Sequence, residues 1–212
     1  MPLRLPIGAV TPEVTDRWLE MGYRRSGDLV YRAECPRCNE CKPTRLEVHQ
    51  FCPTRSMRRI LNRGDRELSY QWGPPQIDAQ RVRMFNDHRS GRDLASSDER
   101  VTADSYRSFL ADTCCDTREL AVCFRDELIA VAIVDVGAIS VSAVYTHFDP
   151  AASRYSLGTY AILKQIQWAQ ETHRQYVYLG MYVADNEHLN YKVRFQPQQR
   201  LLGTNWVSIE PD

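Results

Sequence analysis

Between Glu119 and Leu179 the apolar pattern changes period in a set order, and that order leaves the chain few architectures to choose from. Glu119–Phe124 and Leu128–Val136 are apolar runs of strand length, separated only by Arg125-Asp126-Glu127, and Ile139–Phe148 alternates as a third strand that stops at Asp149-Pro150. Connections this short make consecutive strands antiparallel. Ala151–Ser156 then reads as a loop. After it, Ala161, Ile162, Ile166 and Ala169 form the apolar face of a helix predicted from Leu157 to about Thr172, and Tyr176–Leu179 returns to strand. Antiparallel strands, a loop opening a helix, then a further strand predict an α+β fold with an acetyltransferase-like (GNAT) core and flanking helices. There, the first turn of the helix offers free backbone N–H groups to an anion.

The first half is less regular. Pro12–Met21 reads as a helix with Thr11 as N-cap, Pro12 in its first position and Gly22 at its end. Leu46–Phe51 alternates as a strand, Pro53-Thr54 opens a helix, and Asp78–Asn86 and Ala103–Leu110 are helical on either side of a charged loop from Ser90 to Arg100. The break at Gly73-Pro74-Pro75 predicts an N-terminal region over residues 1–75 and a catalytic domain over residues 76–212.

A formal net charge of zero speaks against a partner bound by neutralising phosphates, but the distribution does not. Thr54–Arg66 carries Arg55, Arg58, Arg59, Arg63 and Arg66 against Asp65. On a helix Arg55, Arg59, Arg63 and Arg66 form one stripe, leaving Met57, Ile60 and Leu61 for a core. Guanidinium forks along such a stripe suit a phosphate chain. A solvated helix face accounts for the charge pattern equally well. Upstream, Cys35, Cys38 and Cys41 sit on two-residue spacings that suit zinc or an iron-sulfur cluster, with a fourth ligand from Cys52, His49, Cys114 or Cys115; free thiols packing the turn are the alternative. The seven cysteines are odd in number, the N-terminus lacks a secretory pattern, and no apolar run reaches the roughly 18 residues that cross a bilayer. A cytoplasmic monomer with reduced thiols and no membrane contact is expected.

Motifs run in order through nearly the whole chain: Gly22-Tyr-Arg-Arg-Ser-Gly-Asp28, Tyr31-Arg32, Cys35-x-x-Cys38-x-x-Cys41-x-Pro43-x-Arg45, Phe51-x-Pro53-x-Arg55-Ser56-x-Arg58-Arg59, Tyr106-Arg-Ser-Phe-Leu110, Ser142-Ala-Val-Tyr-Thr146, Asp149-Pro150, Ser156-Leu-Gly158, Tyr178-Leu-Gly180 and Asn190-Tyr-Lys192. Together they resemble the bacterial aspartate/glutamate leucyltransferases and their relatives, the arginyl-tRNA-protein transferases. The resemblance implies an enzyme that moves an aminoacyl group, leucyl by preference, from charged tRNA to a primary amine, without acetyl-coenzyme A, ATP or another required cofactor. By family default the amine is the N-terminal Asp or Glu of a protein, which leucine then marks for degradation as an N-degron.

The chain looks like a divergent, N-terminally shortened member. Relatives open on a further segment with another cysteine, and Asn186 stands where they carry a cysteine before Asn190-Tyr191-Lys192. Their Asp-Gly-Asp-Met turn is rewritten around Gly91–Asp98, and their Arg-Ser-Leu-Gly and Tyr-Leu-Gly-Tyr-Trp become Tyr155-Ser-Leu-Gly158 and Tyr178-Leu-Gly-Met-Tyr182. These departures keep open a small-molecule amine acceptor, such as an antibiotic in biosynthesis or self-resistance. An acetyl-coenzyme A-dependent N-acetyltransferase fits less well, because Arg154-Tyr-Ser-Leu-Gly-Thr159 is no glycine-rich pyrophosphate cradle. A non-catalytic RNA-binding module would need the arginine stripe alone.

An aminoacyl ester is already activated, so the transfer needs a placed, unprotonated amine and support for the oxyanion. His147 and Asp149, at the end of a strand, are the candidate bases, with Asp149 favoured by the Asp-Pro match. The resemblance adds Tyr191 and Lys192 to the catalytic set. It puts Tyr145, Thr146, Tyr178, Gly180 and Asn190 in the aminoacyl and acceptor pocket. Arg55, Ser56, Arg58, Arg59, Arg63, Arg154, Ser156, Leu157 and Gly158 are expected to hold tRNA, with the N–H groups at Ser156–Thr159 facing its terminal adenosine or the developing charge.

Overall fold

The computed structural model describes residues 2–94 and 99–209, so part of the rewritten Gly91–Asp98 stretch lies outside the described residues. After β1 (Leu3–Arg4), α1 (Pro12–Glu20) starts where Thr11 Oγ1 accepts the Val14 N–H at 3.4 Å and Pro12 fills a position that needs no N–H. Gly22 ends this segment at φ +83°, where a Cβ would also meet Leu201 at 2.7 Å. β2 (Arg24–Ser26) and β3 (Leu29–Tyr31) join β1 in a small antiparallel sheet of order β1-β3-β2. β4 (Lys42–Glu47) lies earlier than the strand expected over Leu46–Phe51. Leu46, Val48 and Phe51 do share one core, but Val48–Gln50 coil into a 3-10 turn, so their alternation reflects common burial rather than extension.

α2 (Arg55–Glu67) is capped by Thr54 Oγ1, which accepts the Met57 N–H at 3.3 Å, and leads into β5 (Ser69–Gly73). α3 (Ala79–Ser90) and the short α4 (Ala103–Tyr106) follow, α4 widening into a π turn over Arg107–Ala111. β6 (Thr117–Phe124), β7 (Glu127–Val136) and β8 (Ser140–Phe148) form the predicted meander, the first corner turning through positive φ at Arg125 and Asp126. A 3-10 segment over Pro150–Tyr155 leads to α5 (Leu157–Glu171), and β9 (Tyr176–Tyr182), α6 (Glu187–Asn190), β10 (Gln198–Leu202) and β11 (Asn205–Ile209) complete the chain.

Eight strands make one sheet of order β11-β10-β4-β9-β8-β7-β6-β5, antiparallel throughout except for β8 and β9. The expected α+β class with a largely antiparallel sheet is what forms. β7 is buried from Leu128 to Val136 because both faces are covered. Ala130, Ala132, Val134 and Val136 pack in the core that holds α2 and α5, while Val131 and Ile133 pack with Phe85 of α3 and Tyr106 of α4. Gly64 lets α2 lie directly on α5, since a Cβ there would stand 2.2 Å from Tyr160. Residue 75 does not separate two cores: β4 and β5, from before it, pair with β9 and β6, from after it.

One irregularity positions the site. β8 and β9 pair only at Ser140–Ser142 with Tyr176–Tyr178; beyond that β8 stays with β7 and β9 stays with β4. A bulge at the same level leaves Val144 as the extra residue between Ala143 and Tyr145. The two central strands therefore part, and α5 begins over the gap.

Candidate active site

The gap holds a cavity of about 830 Å³. Ser142–Thr146 of β8 and Leu179–Met181 of β9 form its flanks, Ser156–Thr159 close one side, α1 and β2 supply the other, and Tyr191 and Lys192 come from the turn after α6. Clefts at a parting in a sheet are common ligand sites because strand ends and helix starts converge there.

At the α5 side, Ser156 occupies the left-handed region at φ +52° and gives the helix no side-chain cap. Among the described residues no side-chain cap meets the first-turn N–H groups of α5, the kind of donors that can bind an anion. Gly158 stands where a Cβ would come 3.5 Å from Phe148. His88 of α3 lines the same end; its Nδ1 accepts the Phe148 N–H at 3.4 Å, and burial followed by the nearby Arg92 pulls it down to about 4, so it is neutral.

Lys192 is only 4% exposed, and its Nζ donates to the Leu189 carbonyl at 3.4 Å. Burial first, and the positive charge of Arg24 second, hold its ammonium down to about 8. Lys192 is therefore the group of the expected catalytic set that can take up a proton near neutral pH inside the cavity. Tyr191 lines the cavity beside it, its phenol pushed up by burial.

The two expected bases are placed elsewhere. His147 is fully buried, its ring edge-on to Phe85 and Tyr106 on the α3 and α4 face, with Nε2 3.4 Å from the Tyr106 hydroxyl. Desolvation takes it down to about 3, so it is a neutral core side chain and no part of the cavity wall. The strand alternation explains this: it shares the face of Val131, opposite it in the ladder. Asp149 caps the 3-10 segment, its Oδ1 accepting the Ala151 N–H at 2.9 Å, and it too lies outside the cavity lining.

Among the pocket candidates, Tyr145, Thr146 and Gly180 line the cavity. Tyr178 does not: it is buried against Trp206, and its hydroxyl accepts from Arg45 Nη1 at 3.1 Å and donates to Glu20 at 3.1 Å. Asn190 instead ties its own loop, donating to the Ala184 carbonyl at 3.2 Å.

Of the residues expected to hold tRNA, Ser156, Leu157 and Gly158 are at the cavity wall. Arg55, Ser56, Arg58, Arg59 and Arg63 form an exposed face of α2, with Met57 and Leu61 buried and Ile60 half-buried behind them, as the spacing predicts. Arg63 Nη1 donates to the Arg154 carbonyl at 2.7 Å and Arg154 Nη2 to the Tyr155 hydroxyl at 2.6 Å, so the arginine face continues into the segment that opens α5. The Cys38 N–H donates to the Cys35 carbonyl at 3.4 Å in an exposed turn and Cys41 reaches the cavity wall, all three as free thiols. Among the described residues no three His, Cys, Asp or Glu side chains converge to hold a metal, and no helix is long and apolar enough to cross a membrane.

Sequence reasoning gave no role to Arg24, Arg25, His88 and Arg92, all in the cavity lining. Arg24 and Arg25 lie inside the Gly22–Asp28 motif, which was a usable signal; His88 and Arg92 carry none, since only the tertiary fold brings the end of α3 to α5.

Models of the arginine-tRNA-protein transferase N terminus and C terminus match residues 3–59 and 80–202. An aspartate/glutamate leucyltransferase of Chromobacterium violaceum is 34% identical over 205 residues, covering 97% of this chain and 84% of that one. One from Vibrio cholerae is 33% identical over 196 residues, covering 92% and 83%. In fold alone, the chain resembles the C-terminal domain of a putative lysylphosphatidylglycerol synthetase from Agrobacterium fabrum, with a TM-score of 0.52 at 15% identity over 68% of this chain and 47% of that one. With both halves matched in order and the relatives aligned along nearly its whole length, the chain belongs to the arginine-tRNA-protein transferase family and is an aminoacyl-tRNA-dependent aminoacyltransferase.

Proposed function

We propose that the cavity transfers leucine from leucyl-tRNA to the α-amine of a protein that begins with Asp or Glu, on a core of acetyltransferase-like design. The observation that carries this reading is the meeting, across one gap in the sheet, of an uncapped helix start and a buried amine held near neutral titration. Both relatives bear the aspartate/glutamate leucyltransferase name; the small-molecule acceptor and acetyl-coenzyme A alternatives find no support among them.

In this reading the tRNA acceptor end follows the arginine face of α2, crosses Arg154 and enters at Ser156–Thr159, where the leucyl ester stops. The neutral α-amine attacks the ester carbonyl, and the oxyanion forms against the first-turn N–H groups of α5. Lys192 Nζ takes the proton lost from nitrogen. As the C–O bond breaks, the departing ribose oxygen takes a proton back, leaving an amide and a free tRNA end. Much of the rate comes from holding ester and amine together, an effect worth roughly 7–11 kcal/mol at close geometry.

The test is mass spectrometry of products after incubation with leucyl-tRNA and three kinds of acceptor: an Asp-initiated peptide, an Ala-initiated control, and a panel of amine-bearing natural products. Leucine added to the Asp peptide and to neither other class is the expected result; a mass gain confined to a small molecule overturns the protein acceptor.

A further inference from the structure

Among the charged side chains of the cavity that the transfer step does not use, Arg24 is buried with unpartnered donors. Arg24 is 8% exposed on β2, its Nη1 donates to the Tyr23 carbonyl at 2.7 Å, and its guanidinium lies 5.3 Å from the centre of the Tyr178 ring. Its Nε and Nη2 are buried without a hydrogen-bond partner among the described residues, as is Nη2 of Arg25. The buried carboxylate of this region, Asp135, is already engaged, accepting Arg25 Nε and the Thr117 hydroxyl at 2.8 Å each. Charge is therefore matched between Arg25 and Asp135, and Arg24 and Lys192 are left as a positive end of the cavity. An enclosed cation is strongly unfavourable unless an anion meets it.

We propose that Arg24 determines acceptor specificity by binding the side-chain carboxylate of an N-terminal aspartate or glutamate, with that residue's α-amine beside Lys192. The inference rests on the reading of the cavity as the transfer centre. Nε and Nη2 form the side edge of the guanidinium, which holds a carboxylate through two parallel N–H···O bonds. Asparagine or glutamine would turn an amide NH2 toward those donors and leave one unsatisfied, the kind of mismatch that discriminates strongly between near-isosteres. A tRNA phosphate has the right charge but the wrong access. It carries a nucleoside on either side, whereas Arg24 is enclosed and only 8% exposed.

The full chain, Arg24→Gln and Arg24→Lys are compared in three measurements. The first is calorimetric titration, without tRNA, of two peptides differing only in an initial Asp or Asn. The second is leucyl transfer to the same peptides, and the third is leucyl-tRNA affinity. Wild type is expected to favour the Asp peptide, and Arg24→Gln to lower the Asp-over-Asn ratio of kcat/KM by about tenfold or more while leucyl-tRNA affinity holds. Arg24→Lys keeps the charge but not the fork and is expected to fall between. The melting temperature of ligand-free Arg24→Gln should equal or exceed that of wild type, because an enclosed charge has been removed. A retained Asp preference in Arg24→Gln, a loss of tRNA affinity in place of acceptor affinity, or a strongly lowered melting temperature overturns the proposal. A wild type that prefers the Asp peptide in the titration yet transfers no leucine overturns the transfer reading and leaves the titration to decide Arg24.

Discussion

Lys192 illustrates what enclosure does to a side chain that would be idle on the surface. A solvated lysine near its ordinary value of about 10.4 is almost wholly protonated at neutral pH. Inside the cavity, desolvation and the neighbouring Arg24 bring Lys192 to about 8, so a useful share is free amine. The α-amine of the proposed protein acceptor titrates in the same region, at about 7.7–8.0. Two groups must then be neutral for attack, and log(kcat/KM) should climb with a slope approaching about 2 on the acid side and level off above pH 8 or so. Lys192→Arg cannot give up its proton; its profile should keep only the acceptor's ionisation, with a slope near 1 and a rate lower by about 10²-fold or more. An unchanged slope in stopped-time assays across pH 6–9 would remove Lys192 from proton transfer. The sequence offered His147 and Asp149 as bases, Asp149 favoured by the Asp-Pro match, with Lys192 in the catalytic set through the resemblance alone. The sequence does not show that Asp149 Oδ1 accepts the Ala151 N–H, and the alternation of β8 does not by itself say that the face holding His147 packs under α3 and α4.

At the scale of elements the reading was better, because helices and strands announce themselves through period. The Thr54 cap and the arginine spacing of α2 were legible, and so were the meander and the start of α5. The extra pairing of β4 beside β9 was not, since a strand of Lys-Pro-Thr-Arg-Leu-Glu has no apolar alternation; Thr44 and Arg45 are buried there by polar partners, Gly180 and Gln199. α2 gives a direct test of the donor path. Replacing Arg55, Arg58 and Arg59 together by Gln should leave the melting temperature within a few degrees, because all three are exposed. The slope of log affinity for leucyl-tRNA against log salt should shrink by about 2–3, as three phosphate contacts vanish. A slope equal to wild type would separate α2 from the tRNA.

At the scale of the molecule, the break at Gly73-Pro74-Pro75 misled because prolines mark a turn in the backbone, not the edge of a core. A chain reduced to residues 76–212 would lose β4 from beside β9, β5 from beside β6, and the α2 surface that covers Tyr160. It is expected to lack a cooperative melting transition and to bind an apolar dye, where the full chain melts sharply. A fragment with sharp tertiary signals would show that β6–β9 and α5 suffice.

The parting of β8 and β9 has a consequence for what the enzyme can ignore. Strand edges that face each other without bonding belong to the rim of a sheet; here they lie in its middle, like an open seam. Backbone groups turned toward that seam must be met by solvent or by something bound. In the proposed transfer, an extended acceptor N-terminus would meet them with its own main chain, whatever side chains follow its first residue. A seam met in that way would be blind to sequence, and choice would fall to the charge at its end.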